Sequence, residues 1–233
     1  MNSRRFVVLS VLLFGSLWGL VELGIGELAW VNDVPRAPIL TAFGVLFMVL
    51  ARSLWSVPGS TLALAAVASA YKVLQHPVWG CKLAAVVVVG AIFEAGFTLY
   101  ERRAGRTAWS AVPLARGAAS SGATAPSAAR DVWAPVALSM ALTFVSFVVF
   151  GYFARYVLLN PYWMAADKLL DYQFVQGPVA TLLAAPAAWA GLALGARLSE
   201  SRATWSRAVW VAYRAAAVGS GIAAVATAVA LRY

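Results

Sequence analysis

Long apolar runs and short polar breaks alternate along the chain. Seven segments are dominated by Val, Leu, Ala and aromatic residues: 6–30, 37–51, 57–74, 82–100, 132–158, 177–197 and 207–231. Most approach the ~20 apolar residues that a helix needs to cross a bilayer. None shows the strict alternation of a transmembrane β-strand. The pattern predicts an all-α, polytopic transmembrane helix bundle of six to seven spans. The second segment is short and is expected to borrow its flanks or sit within the bundle. "SVPGS" before the third predicts a tight turn between adjacent helices.

Residues 104–131 break the rhythm. They are rich in Ala, Ser and Gly without an apolar period, and read as a flexible cytoplasmic linker. The linker separates an N-terminal four-helix membrane part (1–103) from a C-terminal part of two to three helices (132–233). No internal repeat stands out. The first segment opens with Arg4 and Arg5 as a signal peptide would, but it runs on past Glu22 without an A-x-A-like site. It reads as an uncleaved first span.

Composition agrees with this class. The chain is 62% hydrophobic and 12% charged, with a mean hydropathy of +0.79. A soluble domain of this size has no place for so much apolar surface. The net charge of +9 raises nucleic-acid binding as an idea. The basic residues sit in short loops between spans, however, which is the positive-inside pattern, so no nucleic-acid partner is expected. With the N-terminus inside, eleven Lys and Arg fall on the inner side and six on the outer, and Arg214 lies within the last span. This predicts a multi-pass protein of a prokaryotic inner or plasma membrane with a cytoplasmic N-terminus.

Ionisable groups in hydrocarbon cost several kcal/mol unless paired, hydrated or neutralised, so each needs a reason. In the first span Trp18 and Glu22 share a face, with Gly15 and Gly19 alongside. Glu22 lies roughly 25 Å along the helix from Arg5, in the outer half of the membrane. Glu27 and Trp30 belong to the outer interface. The third span ends in Lys72 and His76, four apart, followed by Trp79. Lys72 or His76 is the expected companion of Glu22. Glu94, twelve residues past Lys82 and roughly 18 Å in, is the strongest single candidate for function. Asp33 and Arg36 are candidates for an outer cap. Asp167, Lys168 and Asp171 sit at helical spacing in an outer loop that suits a short interfacial helix.

The substrate-binding candidates are therefore Trp18, Glu22, Arg36, Lys72, His76, Trp79 and Glu94. Each has a plainer reading. Glu22 suits a structural ion pair or interhelical hydrogen bond, Glu94 a structural hydrogen bond, Lys72 and His76 interfacial decoration, and Arg36 a solvated turn. One cysteine, Cys81, and one histidine exclude a disulfide within the chain and any multi-cysteine or multi-histidine metal site. No P-loop, G-x-S-x-G, H-E-x-x-H or C-x-x-C occurs. No metal, no cofactor and no catalytic residue is expected.

"FGSLWGLVE", "PRAPILTAFGVLFMVLAR", "PGSTLALAAVASAYKVL" and "GAIFEA" together resemble the substrate-binding S components of energy-coupling factor (ECF) transporters, over residues 10–100. The resemblance implies a compact bundle, usually of six spans, with a small-molecule site opening outward. It implies a transmembrane coupling subunit and two cytoplasmic ATPases as partners, with Gly15 and Gly19 offered to the coupling subunit. It implies vitamins, their precursors or transition-metal ions as substrates. The chain differs in its seventh span and long linker, and it lacks the His-rich N-terminus of metal-type members, which points away from nickel and cobalt.

Three functions follow from these residues. The first is a transport protein that binds a small polar or vitamin-like solute from the outer side, Glu22, Lys72, His76 and Glu94 lining one pocket between the walls of Trp18 and Trp79. The second is a structural or assembly subunit of a larger membrane complex. The third, ranked last, is a membrane enzyme using Glu94 or Glu22 as an acid–base group.

Overall fold

The computed structural model describes residues 3–31, 36–73, 80–104, 125–202 and 206–230. All seven expected segments form helices: α1 (Ser3–Val31), α2 (Arg36–Leu54), α3 (Ser60–Lys72), α4 (Gly80–Ala104), α5 (Ala125–Tyr156), α8 (Gly177–Arg202) and α9 (Arg207–Ala230). Between α5 and α8 lie two short helices, α6 (Pro161–Met164) and α7 (Ala166–Asp171), and a π-helical turn at Tyr172–Gln176. The described residues contain no strand.

Among the described residues, five spans are long and apolar enough to cross a membrane: Arg5–Ile25, Arg36–Leu54, Gly80–Ala104, Val132–Tyr156 and Ala166–Ser201. By length and composition this is a multi-pass helical membrane protein. α3, at 13 residues, rises only about 20 Å and falls short of the hydrocarbon thickness. Its surroundings are protein on several sides, since it packs on α1, α2 and α4.

The short second segment proves to be the centre of the bundle. α2 contacts α1, α3, α5 and α8, and Val45, Met48, Val49, Ala51 and Arg52 are sealed from solvent. Its most extensive contact is with α8, so the part after the linker packs along the part before it. That contact depends on two glycines of α8. A Cβ at Gly191 would lie 2.7 Å from the Leu46 carbonyl oxygen, and one at Gly195 would collide with the Ser53 hydroxyl. α9 is held to α1 by Phe6, whose ring meets Trp210 edge-on and Tyr213 stacked, and by a 2.6 Å hydrogen bond between Ser10 and Tyr213.

The end of the bundle holding Phe6, Trp55 and Trp210 is termed the near end. The opposite end, holding Lys72, the start of α4 and α6–α7, is the far end. Asp167, Lys168 and Asp171 fall within or at the end of α7, as their spacing predicts. At the linker the helix starts early. α5 begins at Ala125, six residues before the expected linker end at 131. Pro126 fits a first helical turn, and the Ala-rich stretch after it favours the helix.

Candidate functional site

Among the described residues, the buried charged side chains gather into two centres, one at each end of α3. The near-end centre is built on Arg52, from the last turn of α2. Its side chain has no solvent exposure. The guanidinium has five N–H groups, and each finds an acceptor. Nε donates to Glu101 Oε1 at 2.6 Å and Nη2 to Glu101 Oε2 at 2.8 Å, a two-pronged pairing. Nη2 also donates to Thr98 Oγ1 at 3.1 Å. Nη1 donates to the Val57 carbonyl at 2.9 Å and to Glu94 Oε1 at 3.4 Å.

Glu94 joins this centre to the start of α3. Gly59 there takes φ 86°, a left-handed conformation that favours glycine, and offers no side chain to cap the helix. Glu94 supplies the cap from α4. Its Oε1 accepts from the Gly59 N–H at 2.7 Å and from Thr98 Oγ1 at 2.9 Å. Its Oε2 accepts from the Thr61 N–H at 3.1 Å and from the Thr61 hydroxyl. A carboxylate at a helix N-terminus is favoured both by these donors and by the helix dipole. Two carboxylates therefore face one guanidinium plus the positive end of α3.

The far-end centre is simpler. Lys72, the last residue of α3, places Nζ 2.5 Å from Glu22 Oε2, and both side chains are 6% exposed. Nζ also donates to the Glu22 carbonyl at 3.5 Å. Trp18 Nε1 donates to Glu22 Oε1 at 3.1 Å from one turn below. Beneath this pair, the Tyr71 hydroxyl donates to Ser16 Oγ at 2.8 Å. A lysine at a helix C-terminus sits where the dipole favours a cation.

Trp18, Glu22 and Lys72 thus come together as expected, and Lys72 is the companion of Glu22. Glu94 stands apart from them. It binds the first residues of α3 while Glu22 binds the last, a separation of roughly 17 Å along the helix. The single pocket holding both carboxylates is corrected to two centres. Arg36 starts α2 and is half-buried. His76, Trp79 and Asp33 lie outside the described residues. Gly15 and Gly19 do not offer a free face: a Cβ at Gly15 would meet Val67 and one at Gly19 the Tyr71 ring, so α3 of the same chain occupies the groove. No cluster of three or more His, Cys, Asp or Glu suited to a metal occurs among the described residues.

Arg52 and Glu101 are the polar residues that reading the sequence passed over. Each lies near the end of an apolar run, where a charge ordinarily reaches solvent. Their one signal is position: Arg52 precedes the "SVPGS" turn that brings α2 back against α3 and α4.

No family model, curated protein or solved structure matches the chain.

Proposed function

We propose that this protein binds a small zwitterionic solute at the Glu22–Lys72 pair, from the outer side of the cell membrane, as the substrate-specific component of a transporter. The observation that carries this reading is a buried pair of opposite charges, 2.5 Å apart and 6% exposed, bridging two helices at the far end. A solute with its own ammonium and carboxylate exchanges this one internal pair for two: ammonium to Glu22, carboxylate to Lys72. The charge total in the site stays at zero throughout, so no uncompensated charge is left in a low-dielectric interior. The Trp18 indole keeps Glu22 oriented during the exchange.

His76 and Trp79, within seven residues of Lys72 in the chain, remain the sequence's further candidates for this solute. The basic near end faces the cytoplasm by the positive-inside rule. The sequence carries no nucleotide-binding motif, so energy for uptake comes from a coupling subunit and cytoplasmic ATPases, as the S-component resemblance implies.

Calorimetry with a panel of amino-acid-like zwitterions and their singly charged analogues tests the reading. Binding of at least one zwitterion, with loss of affinity when either charge is removed from the solute, is expected. Failure of every zwitterion, or equal binding of the singly charged analogues, contradicts it.

A second reading, a structural subunit of a membrane complex, draws on the near-end centre. Complete satisfaction of Arg52 describes a fixed joint rather than a binding site. Stoichiometric co-purification with partners that are not transporter subunits favours it.

A further inference from the structure

A groove of about 540 Å³ runs along the outside of the bundle at the near end, between α3 and α4. Its floor is a stripe of α4, Ala91, Ala95, Leu99 and Arg102, at the three- and four-residue spacings of one helix face. Its other wall is Pro58 and Leu62. Ala91, Ala95 and Leu99 are exposed on the flank of a membrane span, where hydrocarbon is the solvent, and Leu62 is exposed beside them on α3. From Ala91 to Arg102 the groove extends about 17 Å, directed toward the near-end surface.

The charge at its mouth is cationic. Arg102 and Arg103 are both exposed, and neither makes a hydrogen bond or ion pair among the described residues. Glu94 also borders the groove, but its oxygens are taken up by Gly59, Thr61, Thr98 and Arg52, so it is not a free opposing charge. An apolar channel parallel to the span, ending at the Arg102 guanidinium with Arg103 next in the chain, fits one class of molecule. We infer that this groove holds an anionic phospholipid, one acyl chain along Ala91–Leu99 and the phosphate on Arg102 and Arg103. The inference stands on the near-end surface alone and is independent of the solute reading.

The bound lipid also covers the Pro58–Gly59 turn that Glu94 and Arg52 hold, so it tightens the α3–α4 joint from outside. Native mass spectrometry and thermal unfolding in detergent test this with phosphatidylglycerol and phosphatidylcholine of identical acyl chains. Phosphatidylglycerol should persist as an adduct and raise the melting temperature more than phosphatidylcholine. The R102Q/R103Q variant should bind it roughly tenfold to thirtyfold more weakly, since each near-surface arginine contributes up to about fivefold to anionic-lipid attraction. Ala95→Phe, which fills the apolar floor without touching either charge, should weaken it as well. Equal binding of both lipids, unchanged binding by R102Q/R103Q, or equal competition by glycerol phosphate, which has the headgroup charge but no tails, overturns the proposal. Both arginines are exposed and unpaired among the described residues, so the double variant keeps its fold.

Discussion

The two charged centres at the ends of α3 solve the same problem differently. At the near end, Arg52 is surrounded by two carboxylates, a threonine and a carbonyl, and every N–H is used. Glu94 in turn caps α3. The centre fastens α2, α3 and α4 at once, and removing Arg52 strands several partners. At the far end, Glu22 and Lys72 form one pair with an indole and a backbone carbonyl as support. Its two charges cancel between themselves, so it can open and re-pair with an outside partner. A centre that ties three helices through one guanidinium is a joint, whereas a single ion pair between two helices can exchange.

The sharpest way to break this contrast is to delete one cation at each end. Arg52→Met leaves Glu101 and Glu94 buried against missing donors, and a loss of about 3–5 kcal/mol is expected, the range for stranding one partner of a buried pair. Yield of monodisperse protein and reversible denaturant unfolding measure it. Lys72→Met strands only Glu22 and is expected to cost a similar or somewhat smaller amount.

Double variants separate the two ends. Adding Glu22→Gln to Lys72→Met removes both charges, and stability should return to within about 1 kcal/mol of the original, because a buried pair is often nearly neutral overall. Adding Glu101→Gln to Arg52→Met should recover much less, since Glu94, Thr98 and the Val57 carbonyl still lack their donor. Equal recovery at both ends would erase the distinction.

Smaller effects test the surrounding frame. Gly191→Ala should cost about 1–3 kcal/mol, because its methyl group meets the backbone of α2 rather than a movable side chain. Glu94→Gln keeps one acceptor oxygen, sets its NH2 against donors on the other side and loses the charge at the start of α3, with about 1–3 kcal/mol expected. An effect as large as that of Arg52→Met would make Glu94 the hub instead.

The helices were legible in the sequence because a bilayer imposes length and apolarity on each span. The Trp18–Glu22 face was legible because four-residue spacing fixes it, and Lys72 because it ends the next helix at matching depth. The partner of Glu94 was not. Depth along α4 said that it must face protein, but the turn at Pro58–Gly59 decides which protein, and a turn's exit direction is not written in hydropathy. Arg52 and Glu101 looked like ordinary terminal charges for the same reason: only the fold shows that α3 and α4 close over them. Gly15 and Gly19 correctly signalled close helix approach, but small residues do not say whose helix approaches.

The central claim is that the Glu22–Lys72 pair is the solute site while the near-end centre is structural. Ligand-induced stabilisation of the original protein and of the E22Q/K72M variant, each titrated with the best zwitterion of the panel, tests it most directly. The account predicts a concentration-dependent rise in melting temperature for the original protein and none for the folded double variant. An equal rise in both would contradict it.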